Sequence, residues 1–145
     1  MVKNPLVSII INNFNYGDFV GCAIKSALNQ TYANCEIIVI DDGSSDHSVK
    51  AIEKFVPSVD FFKKENGGQA SAFNLGVSKA KGEFVFFLDS DDLLERSIVD
   101  EVIDFFLADP ELVKVQFQLE VINGKGKAVG ASIPPKGLKL SLIHI

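Results

Sequence analysis

Two acidic clusters carry the residues best suited to chemistry. Asp41-Asp42 precedes Gly43-Ser44-Ser45, and Asp89-Ser90-Asp91-Asp92 follows directly on the apolar run Phe84-Val85-Phe86-Phe87-Leu88. A third polar run, Asn12-Asn13-Phe14-Asn15, comes after the apolar stretch Leu6 to Ile11. Brought together, five carboxylates raise one another's pKa or draw in a cation, because unscreened like charges repel strongly in a partly buried cleft. Oxygen-only ligands with no neighbouring Cys or His favour a hard ion, Mg2+ or Mn2+, which keeps several waters and bridges the phosphates of a bound molecule such as a nucleotide diphosphate. Any one of these aspartates alone reads as a turn former or helix cap; the two clusters jointly point to a site.

The elements around the clusters alternate. Leu6 to Ile11 reads as a buried strand, and Phe19, Val20, Ala23, Ile24, Ala27 and Leu28 then repeat at the spacing of one helical face. The cycle returns with a strand over Glu36 to Ile40 and a helical stripe of Val49, Ile52, Phe55 and Val56 closed by Pro57. A third round runs through Val59 to Phe62, the turn Asn66-Gly67-Gly68 and the helical face of Phe73, Gly76, Val77 and Ala80. Phe84 to Leu88 is the most strand-like run and predicts complete burial. Ile98, Val99, Val102, Ile103 and Phe106 give a last helix, followed by a strand from Val113 to about Val121.

Strands apolar on both faces and separated by helices predict an α/β fold: a three-layer αβα, Rossmann-like, doubly wound and mostly parallel sheet. In such a sheet every strand delivers its C-terminal loop to one edge, where ligands bind. All three polar runs fall at that edge.

Composition narrows the partners. With 14 Lys and Arg against 19 Asp and Glu the net charge is −5, so no basic surplus exists to hold nucleic acid. The 145 residues suit one compact core, and the apolar run near the N-terminus is too short for a signal peptide or membrane span. Cys22 and Cys35 lack metal-type spacing and are expected to be buried, reduced thiols of a cytoplasmic chain. His47 and His144 stand apart from both acidic clusters and are expected to be solvent-exposed, not ligands.

The ordered set of motifs from Val7 to about Leu94 resembles the family-2 glycosyltransferases of the A-type nucleotide-diphospho-sugar transferase fold. The matching pieces are Val7-Ser8-Ile9-Ile10-Ile11 with Asn15 after it, Ser26-Ala27-Leu28-Asn29-Gln30-Thr31-Tyr32, Glu36 to Ile40 running into Asp41-Asp42-Gly43-Ser44-Ser45-Asp46, Asn66-Gly67-Gly68, Asn74-Leu75-Gly76, and Gly82-Glu83 leading to Leu88-Asp89-Ser90-Asp91-Asp92. A lone DxD is weak, but this ordered set is specific. The resemblance implies donor-nucleotide binding by Asn12, Phe14, Asn15, Asp42 and Asp89, with Asp42 accepting from the base edge and Asp89 meeting the ribose. It implies that Asp91 holds a divalent Mn2+ or Mg2+ on the diphosphate of a nucleotide-diphosphate sugar, a UDP-sugar first. Phe73 departs from the pattern, since many relatives carry Arg between the residues matching Ala72 and Asn74, so one positive contact to the phosphates is missing. Gly67 and Gly68 fit either a phosphate approach by backbone N–H groups or a plain turn.

An inverting transferase needs a carboxylate base for the acceptor hydroxyl, whether glycan, lipid or protein. After Asp109 the candidates are Glu111 and Glu120, and neither sits in a motif like the family's acidic pair. The expectation is therefore a truncated donor-binding domain over 1–123, inactive or weakly active alone, placed in the cytoplasm at the inner face of a membrane in the full-length protein. Over 124–145 an irregular tail is expected, and Leu140 to Ile145 resembles translated adapter read-through more than native sequence. Two other readings fit parts of the chain. Phe86 to Asp91 also matches a haloacid-dehalogenase-type phosphohydrolase using Asp89 and Asp91, although that motif needs later Lys and acidic motifs. A non-catalytic nucleotide-binding or receiver-like module would use Asp41-Asp42 and leave the DxD unexplained.

Overall fold

In the computed structural model the described residues are 4–116, 118–133 and 141–144. They form β1 (Val7–Asn13), α1 (Val20–Leu28), β2 (Cys35–Asp41), α2 (Ser48–Glu53), β3 (Asp60–Lys63), α3 (Gln69–Lys79), β4 (Phe84–Asp89), α4 (Ile98–Ala108), β5 (Leu112–Gln116), β6 (Leu119–Ile122), β7 (Ala128–Ile133) and β8 (Ser141–His144). The chain divides into two compact units, Met1–Asp100 and Glu101–Ile145, with the division inside α4.

The first unit is built on a four-stranded sheet in the order β3-β2-β1-β4, with each neighbouring pair parallel. The α/β expectation holds. β1 is central, and Val7, Ile9, Ile10 and Ile11 are wholly buried because it is covered on both faces. Ile10, Ile38 and Ile40 pack with Ala72 of α3 on one face. Successive residues of a strand point to opposite faces, so Ile9, Ile11 and Val39 belong to the other face, where α1 and α2 touch each other and the sheet. Right-handed crossovers give the same result: the chain moves outward from β1 through β2 to β3, then returns over the opposite face through α3 to β4. The order therefore reverses between β1's two neighbours, and the loops after β1, β2 and β4 open at a topological switch point.

Gly76 explains how α3 lies so close to the sheet. A Cβ at this position would stand 2.3 Å from Ile10 Cγ2, well inside contact distance.

The second unit holds two antiparallel pairs, β5 with β8 and β6 with β7. The single strand expected from Val113 to about Val121 is thus two strands, and the irregular tail expected from 124 contains β7. Gly126 and Gly130 adopt positive φ, and such glycine turns and kinks hid a strand whose residues are mostly exposed and lack an apolar alternation. The parallel-sheet unit ends at Asp100, short of the expected boundary at 123. Of the supposed read-through, Leu140 to Ile145, residues 140 and 145 lie outside the described residues, as do 134–139 before it.

Two burial expectations need correction. Phe87 is 54% exposed, because among the described residues β4 is the outer strand and α3 lies over β1 and β2; its ring meets Phe73 edge-on at 4.8 Å. Neither cysteine is fully buried: Cys22 is exposed on α1 and Cys35 is half-buried. Partial burial, with the charge of Asp100 adding, pushes the Cys35 thiol up to about 11, which keeps it protonated and unreactive at neutral pH.

Candidate functional site

Parallel pairing sets Asn12 beside Ile40 on one side and Asp89 on the other, and Asn13 beside Asp41. The residues just past these positions surround a cavity of about 480 Å³. Asn12, Asn13, Phe14 and Tyr16 come from the end of β1 and its loop, Asp42 from the end of β2, Asn66, Gly68, Gln69 and Ala72 from the approach to α3, and Asp89, Ser90 and Asp91 from the end of β4. The two acidic clusters do meet at one mouth through Asp42, Asp89 and Asp91.

Asp42 is 2% exposed and holds protein donors on both of its oxygens. Its Oδ1 accepts from Lys64 Nζ and from Gly67 N at 3.0 Å, and its Oδ2 accepts from Gly68 N at 2.7 Å. Burial alone would raise its pKa, but the Lys64 hydrogen bond, the two backbone donors and the Lys64 charge outweigh burial and hold it below the usual carboxylate value. The N–H groups of Gly67 and Gly68 thus serve Asp42, which settles their role as a carboxylate-binding turn. Gly68 takes φ 86 and ψ 165, a conformation open essentially to glycine alone.

Asp41, its neighbour, is equally buried but stands outside the cavity. It accepts from Asn13 Nδ2 at 2.9 Å and from Ser44 through both backbone and hydroxyl. Asn15 is not a cavity residue either. With φ 58, it turns its Oδ1 toward the N–H groups of Ser45 at 2.8 Å and Asp46 at 3.3 Å. These bonds clamp the β1 loop to the β2 loop, so Asn15 holds the wall on which Phe14 and Tyr16 stand. Asp46 completes the clamp by accepting from Gly17 N.

On the opposite wall Asp89 Oδ1 accepts from Gln69 Nε2 at 2.6 Å. The Asn12 amide satisfies its surroundings in the orientation that donates from Nδ2 to Asp89 Oδ1 at 2.8 Å and to Leu88 O at 3.2 Å. Asp91 is exposed on the rim. Asp92 is exposed as a residue, yet crowding around its carboxyl raises its pKa, and the charges of Asp91 and Asp89 add to the rise. Among the described residues no Lys or Arg pairs with Asp89, Asp91 or Asp92, in contrast to Asp42.

That surplus of negative charge suits a divalent cation. Among the described residues no group of three or more His, Cys, Asp or Glu side chains could hold one by itself. The all-oxygen chemistry of this rim would suit a hard divalent ion rather than a soft one. Five carboxylates do not crowd one rim as expected from sequence, because Asp41 and Asp42 are satisfied by their own protein donors.

Sequence reasoning missed Lys64, Gln69 and Tyr16. Lys64 and Gln69 act across a gap in the chain, and no spacing rule links Lys64 to Asp42 or Gln69 to Asp89. Phe14 and Tyr16 are 45% and 42% exposed, leaving aromatic surface at the mouth. Phe73 is partly buried against the cluster of Ile10, Ile38, Ile40 and Ala72, meets the exposed Phe87 ring edge-on, and brings no charge to the cavity. His47 is exposed as expected and pairs with Asp18 at 3.3 Å. His144 lies in β8, and Glu111 and Glu120 belong to the second unit.

Comparisons with known proteins agree with this geometry. The family model described as glycosyl transferase family 2 matches residues 8–135. An uncharacterized glycosyltransferase of Nostoc sp. is 35% identical over 93% of this chain and 42% of its own length. The chondroitin synthase of Pasteurella multocida is 39% identical over 86% of this chain and 13% of its own. The chain therefore spans less than half the length of these curated relatives. Among solved structures, a mannosyltransferase from Pyrobaculum calidifontis in complex with GDP-Man and Mn2+ superposes with a TM-score of 0.67 at 24% identity, over 77% of this chain and 34% of that one. Residues 1–349 of S. aureus TarS in complex with UDP-GlcNAc give a TM-score of 0.64 at 26% identity, over 71% and 31%. A parallel sheet with its acidic residues gathered at a switch-point cavity, and a family match across most of its length, place this chain in glycosyl transferase family 2.

Proposed function

We propose that the cavity binds the nucleotide and diphosphate of a sugar donor, a UDP-sugar, and that the whole protein transfers the sugar to an acceptor hydroxyl with metal assistance and inversion. The observation that carries the reading is the pairing of a fixed acceptor, Asp42, with an uncompensated acidic rim at Asp89 and Asp91 in one cavity. Asp42 accepts from the base edge, with Asn12 and Phe14 beside it, and Asp89 meets the ribose. Asn15 contributes by holding the Phe14 loop.

Asp91 would hold Mn2+ or Mg2+, which supplies positive charge where the diphosphate leaving group develops negative charge. The start of α3 lies at the same cavity with no acidic residue in its first turn, and a helix N-terminus favours phosphate. TarS, at 26% identity, was solved with UDP-GlcNAc, in keeping with a uridine donor.

After Asp109 only Glu111 and Glu120 could serve as an acceptor base, and neither sits in a motif like the family's acidic pair. The 145-residue chain accordingly binds donor and transfers poorly or not at all. The whole protein acts in cell-wall or polysaccharide synthesis on the cytoplasmic side of a membrane. No described helix is long and apolar enough to cross a membrane.

Titrating the 15N-labelled chain with UDP and Mn2+ tests the location. Amide shifts and paramagnetic broadening centred on Asn12, Phe14, Gly68, Gln69 and Asp91 are expected; effects centred on the second unit would contradict the reading.

A further inference from the structure

We propose that Lys64 is a positioning residue of the donor cavity: with the N–H groups of Gly67 and Gly68 it fixes Asp42 as an ionised acceptor in the cavity wall. The inference rests on the donor-binding reading above and deepens it.

The geometry carries it. The Asp42 side chain is 3% exposed and that of Lys64 is 19% exposed, so both charges have left most of their water. A carboxylate so buried takes up a proton unless a charge or donors oppose it. Protonation would turn one acceptor oxygen into a donor and remove the feature a base N–H would meet. Lys64 Nζ also donates to Glu65 O, so the ammonium is held from two sides, and the backbone N–H of Lys64 donates to Asp41 O at 3.0 Å, fixing the residue to the end of β2. Asn66 Nδ2 donates to Asp42 O at 3.0 Å. One short segment thus ties down both the backbone and side chain of Asp42. The acceptor cannot swing to a ligand; the ligand must come to it.

The other groups around Asp42 do not replace Lys64. β1 and its loop bring Asn12, Asn13 and Phe14, all uncharged. Asp41 is adjacent in the chain but bound to Asn13 and Ser44. The first turn of α3 carries no acid, and Glu65 beside Lys64 is exposed. Asp89 and Asp91 share the cavity, and their charge favours a protonated Asp42. Lys64 is the cation set against them.

The test compares wild type, Lys64→Met and Lys64→Arg for UDP affinity in the presence of Mn2+ by calorimetry at about pH 8 and about pH 5, where an ordinary Asp stays ionised but an unopposed buried one does not. The ratio of wild-type to Lys64→Met affinity is expected to grow about tenfold from the higher to the lower pH, while the ratio for Lys64→Arg stays level. A ratio for Lys64→Met that is the same at both pH values would show a merely structural role and overturn the inference. Should Lys64→Met fail to fold, the Asp42 carboxyl carbon followed by NMR in wild type decides: a midpoint below about 3.9 supports the inference, and one at or above it overturns it. A wild type that binds no UDP overturns the donor reading itself, and the inference falls with it.

Discussion

Asp42 and Asp91 meet their negative charge in different ways, and the difference defines the site. Asp42 is compensated within the protein by Lys64 and two glycine N–H groups, whereas Asp91 lies on a rim where no Lys or Arg among the described residues pairs with it. The depressed Asp42 pKa has a consequence for stability. Its ionised form adds stability that is fully present above the unfolded-state value of about 3.9 and is lost as pH falls through the lower folded value. Urea melts of wild type and Asp42→Asn should show wild type the more stable above about pH 4, with the gap closing below it. A gap constant with pH would show that the carboxylate's charge plays no part. At this scale sequence was informative about Asp42, Asp89 and Asp91, because a carboxylate just past a parallel strand has one edge to face. For Asn15 the sequence could not show that its side chain is taken up by the Ser45 and Asp46 N–H groups, because that contact depends on where the β2 loop lies. Lys64 and Gln69 were illegible, since their partners lie 22 and 20 residues away with no periodicity to mark the approach.

Among the elements, α3 matters most to the cavity: its first residues form one wall and its body rests on β1 through Gly76. Gly76→Val should push α3 off Ile10 and cost about 1–3 kcal/mol of stability in denaturant melts, the usual price of overpacking. It should also weaken UDP binding, since Gly68 and Gln69 move with the helix. A variant as stable as wild type would show that the close approach is not needed. The central strands were readable as unbroken β-branched runs. The outer strand was not, because Phe84 to Leu88 looks the same whether one or both of its faces are covered, and strand order decides which. β7 was missed because its glycines and exposed residues give no burial pattern.

For the whole molecule, the alternation of strands and helices was enough to give the layered α/β architecture, and the family match over residues 8–135 agrees. The second unit was less legible, since β5 pairs with the distant β8 and the local β6–β7 hairpin carries glycines and mostly exposed residues in place of an apolar alternation. A ligand that binds only the folded state raises its stability by about 2.7 kcal/mol at a hundredfold excess over Kd. Thermal unfolding should therefore shift upward with UDP and Mn2+ together and return to its starting value with EDTA; a shift with UDP that survives EDTA would remove the metal from donor binding.

The most direct test is calorimetric titration of UDP into wild type and Asp91→Ala, each with and without Mn2+, together with Mn2+ alone into wild type. Since the described residues offer no closed cage for an ion, the expected result is little heat from Mn2+ alone, clear binding of UDP with Mn2+ to wild type, and loss of the metal-dependent part in Asp91→Ala. Equal heats for wild type and Asp91→Ala in the presence of Mn2+ would contradict the assignment of the rim as the place where metal and diphosphate meet.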